Sequence, residues 1–118
     1  MNDRELLELA ARAAGIKARW FRVNQWRQVG GHKMQTGQED VFGTHHSKPW
    51  NPLTDDGDAL RLAVKLCLLV DICSDQTCVC SETVDPILQV KGKDRCEVIR
   101  RAIVRAAAEI GKSMGGVE

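Results

Sequence analysis

Apolar residues recur at helical spacing near the start of the chain, in the segment "LLELAARAA". Leu6 and Leu9 lie on one face of such a helix, and Asn2 or Asp3 can cap its first turn. Gly15 follows the last apolar position, and glycine readily adopts the left-handed backbone that ends a helix. The sequence therefore predicts a first helix that stops at Gly15.

The same spacing predicts a second helix from about Asp55 to Cys67. Its buried face is expected to carry the apolar stripe Ala59, Leu60, Ala63, Val64 and Cys67.

A third helix is predicted to begin after Asp94, where Glu97 completes a capping-box pattern. Cys96 and the isoleucines and alanines that follow line one face of this helix. Gly111 marks its predicted end, and residues 112–118 are predicted to fray.

Between the helices the pattern changes to β-branched and aromatic residues. The stretch "IKARWFRVNQWRQV", residues 16–29, predicts two strands with a turn near Asn24 and Gln25. The run "GGHKMQTGQED", residues 30–40, has no apolar periodicity and is predicted to be an exposed loop. The apolar pair at residues 41–42 indicates a brief strand before the second helix.

After the second helix, "LLVDIC" and "CVCSETV" flank the turn "SDQT" and predict an antiparallel hairpin, while "ILQV" adds a short strand. The element order is helix, strands, helix, hairpin, helix. Grouped strands favour an α+β fold, in which three helices accompany a mostly antiparallel sheet of about four to five strands. At 118 residues the chain is predicted to form a single domain over residues 1–118.

Composition excludes some function classes without choosing one. A formal net charge of +1 gives no global field toward nucleic acid or membranes. No apolar run approaches the roughly 20 residues that span a bilayer. The start, "MNDRELLELAARAAG", has acids where a signal peptide carries basic residues. We therefore expect a cytoplasmic protein with no membrane partner.

The chain has five cysteines, and an odd number in a cytoplasmic protein argues against a disulfide framework. Most of them are expected to pack as small buried apolar residues. Zinc sites usually use C-x2-C knuckles, whereas the spacing here is C-x4-C-x-C, so we expect no metal and no cofactor. A zinc-stabilised module or a cysteine-dependent enzyme is kept as an alternative. The weak ligand candidates are His45, His46, Cys73, Cys78 and Cys80.

The stretch "WNPLTDDGDALRL", residues 50–62, concentrates aspartates ahead of the second helix. Their spacing does not match a calcium-binding loop. Their carboxylates can instead accept hydrogen bonds from the unpaired amides of the first turn and lie at the positive end of the helix dipole. Helix propensity does not explain Gly57, for which close packing under Trp50 is the hypothesis. The residues assigned to helix capping or to other structural roles are Trp50, Pro52, Thr54, Asp55, Asp56, Gly57, Asp58, Asp94 and Glu97.

Residues 16–33 combine five basic and three aromatic residues with no acid. Strand alternation divides this charge, with Lys17 and Arg19 on one face and Trp20 and Arg22 on the other. Tryptophan and arginine are favoured at protein interfaces. Nucleic-acid binding through the same segment is the alternative. The residues expected to contact a protein partner are Trp20, Arg22, Trp26 and Arg27.

Three blocks, "ELLELAARAAGI", "WNPLTDDGDALRLAVKL" and "RRAIVRAAAEIGK", resemble a group of small hypothetical proteins of tailed bacteriophages and prophages of proteobacteria such as Pseudomonas and Burkholderia. The blocks cover roughly a third of the chain, and the middle block is the specific one. The family has no known catalytic residues to transfer. The resemblance implies an accessory protein of the phage that acts in the cytoplasm of the bacterial host.

Small non-structural phage proteins often bind host machinery, including defence systems. The expected function is therefore non-enzymatic and stoichiometric binding to a host or phage protein. A homodimer would fit the broad apolar helix faces and the uncovered edges of the sheet.

Overall fold

The computed structural model describes residues 2–45, 47–73, 76–82, 86–90 and 94–114. In chain order the elements are α1 (Asp3–Ala14), β1 (Arg19–Val29), β2 (His32–His45), β3 (Lys48–Pro49), α2 (Asp56–Lys65), β4 (Leu69–Ile72), β5 (Gln76–Cys80), β6 (Ile87–Val90) and α3 (Arg95–Met114).

The α+β class and the three helices are confirmed. The strands form two three-stranded antiparallel sheets, ordered β1-β2-β3 and β4-β5-β6, where one sheet of four to five strands was predicted. The chain divides into two compact units: residues 18–50, called the hairpin unit, and residues 1–17 with 51–118, called the helical unit. That residues 1–118 form a single domain stays a prediction.

Helix α1 starts and stops where its sequence predicts. The side chain of Asn2 accepts a hydrogen bond from the amide of Glu5 at 2.9 Å, which caps the first turn. Gly15 has a φ of 70°, and the amides of Gly15 and Ile16 donate to the carbonyls of Arg12 and Ala11. This pair of bonds is the Schellman ending, which needs a left-handed residue.

Helix α2 ends in the same motif without a glycine. The amide of Cys67 donates to the Val64 carbonyl, and that of Leu68 donates to the Ala63 carbonyl. Cys67 therefore holds the left-handed position with a φ of 54°, a conformation that costs a residue with a Cβ roughly 1–2 kcal/mol. Cys67 is exposed and lies beyond the helix, so its assignment to the buried stripe was wrong.

The rest of the predicted stripe of α2 is only half correct. Ala59 and Ala63 are buried together with Leu62, but Leu60 and Val64 are 65% and 70% exposed. The orientation of α2 about its own axis places its alanines against the core and leaves the side chains of Leu60 and Val64 in solvent.

Helix α3 forms the centre of the helical unit, where it contacts α1, α2, β5 and β6. Asp94 caps it by accepting from the amides of Cys96 and Glu97 at 2.9 and 3.3 Å. Although α3 has 20 residues, no helix among the described residues is both long and apolar enough to cross a membrane.

The sequence predicted that α3 ends at Gly111, but the helix continues to Met114. A Cβ at Gly111 would overlap the backbone carbonyl of Leu9, so glycine is needed there for the approach of α1 rather than for a helix end. Residues 112–114 thus belong to the helix, whereas residues 115–118 lie outside the described part of the chain, and the fraying of residues 112–118 stays a prediction.

The predicted second hairpin is confirmed as β4 and β5, and "ILQV" forms β6. Thr77 and Val79 of β5 are buried, and their cross-strand partners in β4 are Ile72 and Val70. These four side chains therefore share one face of the sheet. Parts of the predicted turn and strand, residues 74–75 and 83–85, lie outside the described residues.

The hairpin unit contains one long antiparallel hairpin in place of the elements predicted there. β1 runs through Asn24 and Gln25 without turning, and the chain reverses at Gly30 and Gly31. Their φ values of 58° and 81° suit a two-residue type I′ turn. The predicted loop over residues 30–40 is instead this turn and most of β2. The prediction failed because both faces of this ladder are largely exposed, so no apolar alternation marks it.

We predict that Cys67→Gly raises the free energy of unfolding by about 0.5–1 kcal/mol, because glycine removes the left-handed strain but loses more entropy on folding. Gly15→Ala, at the matching position of α1, should lower it by about 1–2 kcal/mol. Urea denaturation measures both. Cys67→Ala is the control, since it removes the thiol and keeps the strain; a gain as large as that of Cys67→Gly would contradict the prediction.

Two helical glycines should respond oppositely to alanine. Gly111→Ala forces α1 and α3 apart and should lower the free energy of unfolding by about 1–3 kcal/mol. Gly57→Ala meets only the Arg61 guanidinium and the Asp55 carboxylate at 3.2–3.3 Å, groups that can move, so helix propensity should make it neutral or stabilising by up to about 1 kcal/mol. Thermal and urea unfolding would contradict this if both variants changed in the same direction.

Candidate functional site

The aspartate-rich stretch is a hydrogen-bonded start of α2, as the sequence predicts. Asp55 is the N-cap, and its side chain accepts from the Asp58 amide at 2.8 Å. Asp58 accepts from the Asn51 amide at 3.0 Å, and Asn51 accepts from the Leu53 amide at 3.0 Å. The carboxylates are thus occupied by backbone amides of their own segment.

The other assigned residues of this stretch have structural partners too. Thr54 donates to the Asn51 carbonyl at 3.5 Å, and Pro52 is fully buried. The nearest atoms to a Cβ on Gly57 belong to Arg61 and Asp55, and the packing of Gly57 under Trp50 stays a prediction.

Asp56 reaches across to α3. Its carboxylate lies 2.6 Å from a guanidinium nitrogen of Arg100, and Arg100 Nε donates to the Leu53 carbonyl at 2.8 Å. The Arg100 side chain is only 15% exposed, and the bond to Asp56 raises the pKa of its guanidinium above the ordinary value. The ion pair between Asp56 and Arg100 joins the start of α2 to α3, and the two charges neutralise each other.

The predicted contact residues lie in the hairpin unit but not on one face. Alternation along the continuous strand β1 places Trp26 on the side that also carries Trp20 and Arg22, while Arg27 lies on the opposite side, across from Met34. The register shift between Gln25 and Trp26 arises on β2, where Thr36 is an extra residue in the ladder. The first side, here called the Trp26 face, consists of Trp20, Arg22, Asn24, Trp26 and Gln28 of β1 and of Lys33, Gln35, Gln38, Asp40 and Phe42 of β2.

The Trp26 face changes character along the hairpin. At its base Phe42 is buried, with ring centroids 4.8 Å from Trp20 and 6.1 Å from Trp50. The Trp50 amide also donates to the Phe42 carbonyl at 2.7 Å. Trp50 therefore packs against the base of the hairpin through both its ring and its backbone.

In the middle of the face, Arg22 pairs with Asp40 at 3.6 Å. The side-chain oxygen Oδ1 of Asn24 accepts from the side-chain amides of Gln35 and Gln38 at 3.0 and 2.9 Å. These bonds bracket the register shift and fix the strands on both sides of it. Beyond them Trp26 is 60% exposed. A large aromatic side chain is thus displayed on a braced hairpin.

The weak metal candidates are placed in different settings. His45 Nδ1 accepts from the amide of Ser47 at 3.2 Å and lies 2.8 Å from its hydroxyl. His46 lies outside the described residues. Within the part of the chain that the structure describes, histidine, cysteine and acidic side chains form no group of three or more that could hold a metal ion.

The five cysteines are free, and none of them is fully buried, contrary to the expectation for most of them. Cys67, Cys73 and Cys96 are exposed. Cys78 and Cys80 alternate with the buried residues of β5 and so lie on the outer face of the sheet, half-buried. Burial, followed by the nearby Cys80 and Asp71, raises the pKa of the Cys78 thiol.

Sequence reasoning missed one surface of the helical unit. Side chains from α2, α3 and β4 enclose an apolar groove of about 330 Å³. The sequence signal for this groove was the apolar stripe of α2, which includes Leu60 in addition to the alanines that are buried. Its lining residues include Leu60, Ala63, Val70, Ile72, Ile99 and Ile103.

Comparisons with protein-family models, with curated proteins and with solved structures find no match to this chain. The resemblance to phage proteins therefore stays a prediction.

We predict that alkylation by iodoacetamide reaches the exposed Cys67, Cys73 and Cys96 before Cys78. Because the thiolate is the nucleophile and the pKa of Cys78 is raised, less thiolate is present at a given pH, and its rate should increase at higher pH than that of a free thiol. Peptide mass spectrometry across a pH series measures this. Modification of Cys78 as fast as Cys73 at neutral pH would contradict it.

Proposed function

We propose that the protein acts without turnover, by stoichiometric binding of another protein through the Trp26 face. The observation that supports this most is Trp26 itself, a 60% exposed tryptophan in a strand whose neighbouring ladder is fixed by side-chain hydrogen bonds. Tryptophan and arginine are over-represented among residues that dominate binding energy. A preformed hairpin also reduces the entropy lost on association.

The proposed contact includes Trp20, Arg22 and Trp26, and excludes Arg27, which lies on the opposite side beside exposed Met34. The partner proposed is a host or phage protein in the bacterial cytoplasm, in keeping with the resemblance noted above.

Nucleic-acid binding has weaker support. The hairpin unit has five basic residues against two acidic ones, but Arg22 already pairs with Asp40. Arg19 lies on the other side of β1, where its guanidinium stacks 4.9 Å from the Phe21 ring. The cations are thus divided between two faces, whereas contact with a phosphate backbone favours one continuous basic surface.

Trp26→Ala should weaken partner binding by about 2 kcal/mol or more, roughly a 30-fold loss of affinity. Arg27→Ala is the matched control: it is adjacent in sequence, exposed, and on the other face. We expect pull-down from a proteobacterial lysate, followed by titration of the recovered protein, to separate the two variants.

Equal recovery by a folded Trp26→Ala variant would contradict the assignment of the face. Recovery of nucleic acid, with an affinity that falls steeply between low and moderate salt, would favour the alternative function.

A further inference from the structure

The apolar groove opens beside an unpaired sheet edge. In the order β4-β5-β6, β4 pairs with β5 on one side, and no described segment pairs with its other side. The lining combines Val70 and Ile72 of β4 with Leu60 and Ala63 of α2 and Ile103 of α3. The groove thus lies above the inner face of the sheet, between β4 and the two helices, and a strand added beside β4 could extend its side chains into it. Its volume of about 330 Å³ lies at the lower end of the range for ligand pockets, roughly 300–1,000 Å³.

The outer face of β4 has a different chemistry. Leu69 and Asp71 alternate with the groove-lining residues and point to the other side of the sheet. Asp71 is the one charged residue in the three strands. Within the described chain no salt bridge joins it to a basic side chain, and its carboxylate accepts a hydrogen bond from the Cys73 thiol at 3.8 Å. The groove's own charges, Asp56 and Arg100, are already paired.

Asp71 argues against a second copy as the occupant of this edge. In a symmetric dimer, two copies would pair their β4 edges about a twofold axis and join their sheets into one continuous sheet. Asp71 would then lie directly or diagonally across from Asp71 of the other copy, on the same face. Like charges at such positions destabilise a strand pair. A strand with a basic residue at the matching position would instead be stabilised by the same carboxylate.

We propose that the β4 edge and the adjoining groove bind an extended segment of a partner protein with an apolar–basic–apolar alternation. The segment adds a strand to β4 through backbone hydrogen bonds, as in other cases of strand addition. Its two apolar side chains enter the groove, and its basic side chain meets Asp71 on the outer face. This site is distinct from the Trp26 face and does not depend on it.

The probes are two short peptides, acetylated and amidated, of sequence Ser-Thr-Ile-Lys-Val-Thr-Ser and the same sequence with Glu in place of Lys. Titration into the full chain is followed by backbone amide shifts in NMR spectra. We expect shifts at residues 69–72 and a roughly two- to fivefold tighter binding of the lysine peptide, as for one cross-strand ion pair. Asp71→Lys should reverse this preference.

The groove is tested by a matched pair of variants on α2. Leu60→Asp places a charge in the groove and should weaken binding of both peptides at least tenfold, whereas Val64→Asp, which is equally exposed but outside the lining, should not. Both positions are exposed, so neither variant should unfold the protein. Trp26→Ala should leave peptide binding unchanged, which separates this proposal from the one above.

Three results would overturn the inference. The first is an absence of shifts in β4 with either peptide. The second is an equal effect of Leu60→Asp and Val64→Asp. The third is a dimer, detected by sedimentation, that Leu60→Asp dissociates, because the groove would then be an interface between copies of the chain.

Discussion

The close approach of α1 to α3 is the constraint on which the helical unit depends. At Gly111 the backbone of Leu9 occupies the space that a Cβ would need. Alanines make up most of the remaining buried positions of α3, and the largest fully buried side chains among the described residues are those of valine and proline. The face that α3 buries is therefore built mainly from short side chains. Dispersion contacts are lost steeply when packed surfaces separate, so small increases in volume at this contact should cost more than they would elsewhere.

Three arginines of α3 extend this arrangement to the other elements. Arg100 binds Asp56 and the Leu53 carbonyl, Arg101 binds Asp3 at 3.2 Å, and Arg105 binds the side chain of Gln89 at 2.7 Å. The start of α2, the start of α1 and strand β6 are thereby joined to one helix. The half-buried Arg100 should matter most, since Arg101 of the pair with Asp3 is more exposed and that pair is screened more by solvent.

Features that depend on residues close together in the sequence could be predicted, whereas features that depend on residues far apart in the sequence could not. Helix starts at Asn2, Asp55 and Asp94 were predictable because a cap is decided within four residues. The long hairpin was not, because its register depends on side chains far apart in sequence, such as Asn24 and Gln38. The predicted contact residues lie on one unbroken strand, and alternation along it separates Arg27 from Trp26. The sequence prediction placed a turn at Asn24 and Gln25, and so it could not give this division of faces. The groove escaped prediction because the tertiary contacts of α2 select its alanines over Leu60.

Packing through small side chains also explains why an apolar surface stays exposed in the helical unit. A helix that packs through alanine buries little area per residue, so the larger aliphatic side chains of α2 and β4 have no described partner large enough to cover them. Exposed apolar side chains beside a free strand edge favour aggregation unless a charge interrupts them. Asp71 supplies that charge at the edge of β4. The same carboxylate would penalise pairing between identical edges and reward a basic strand, so protection against self-association and selectivity for a partner follow from one residue.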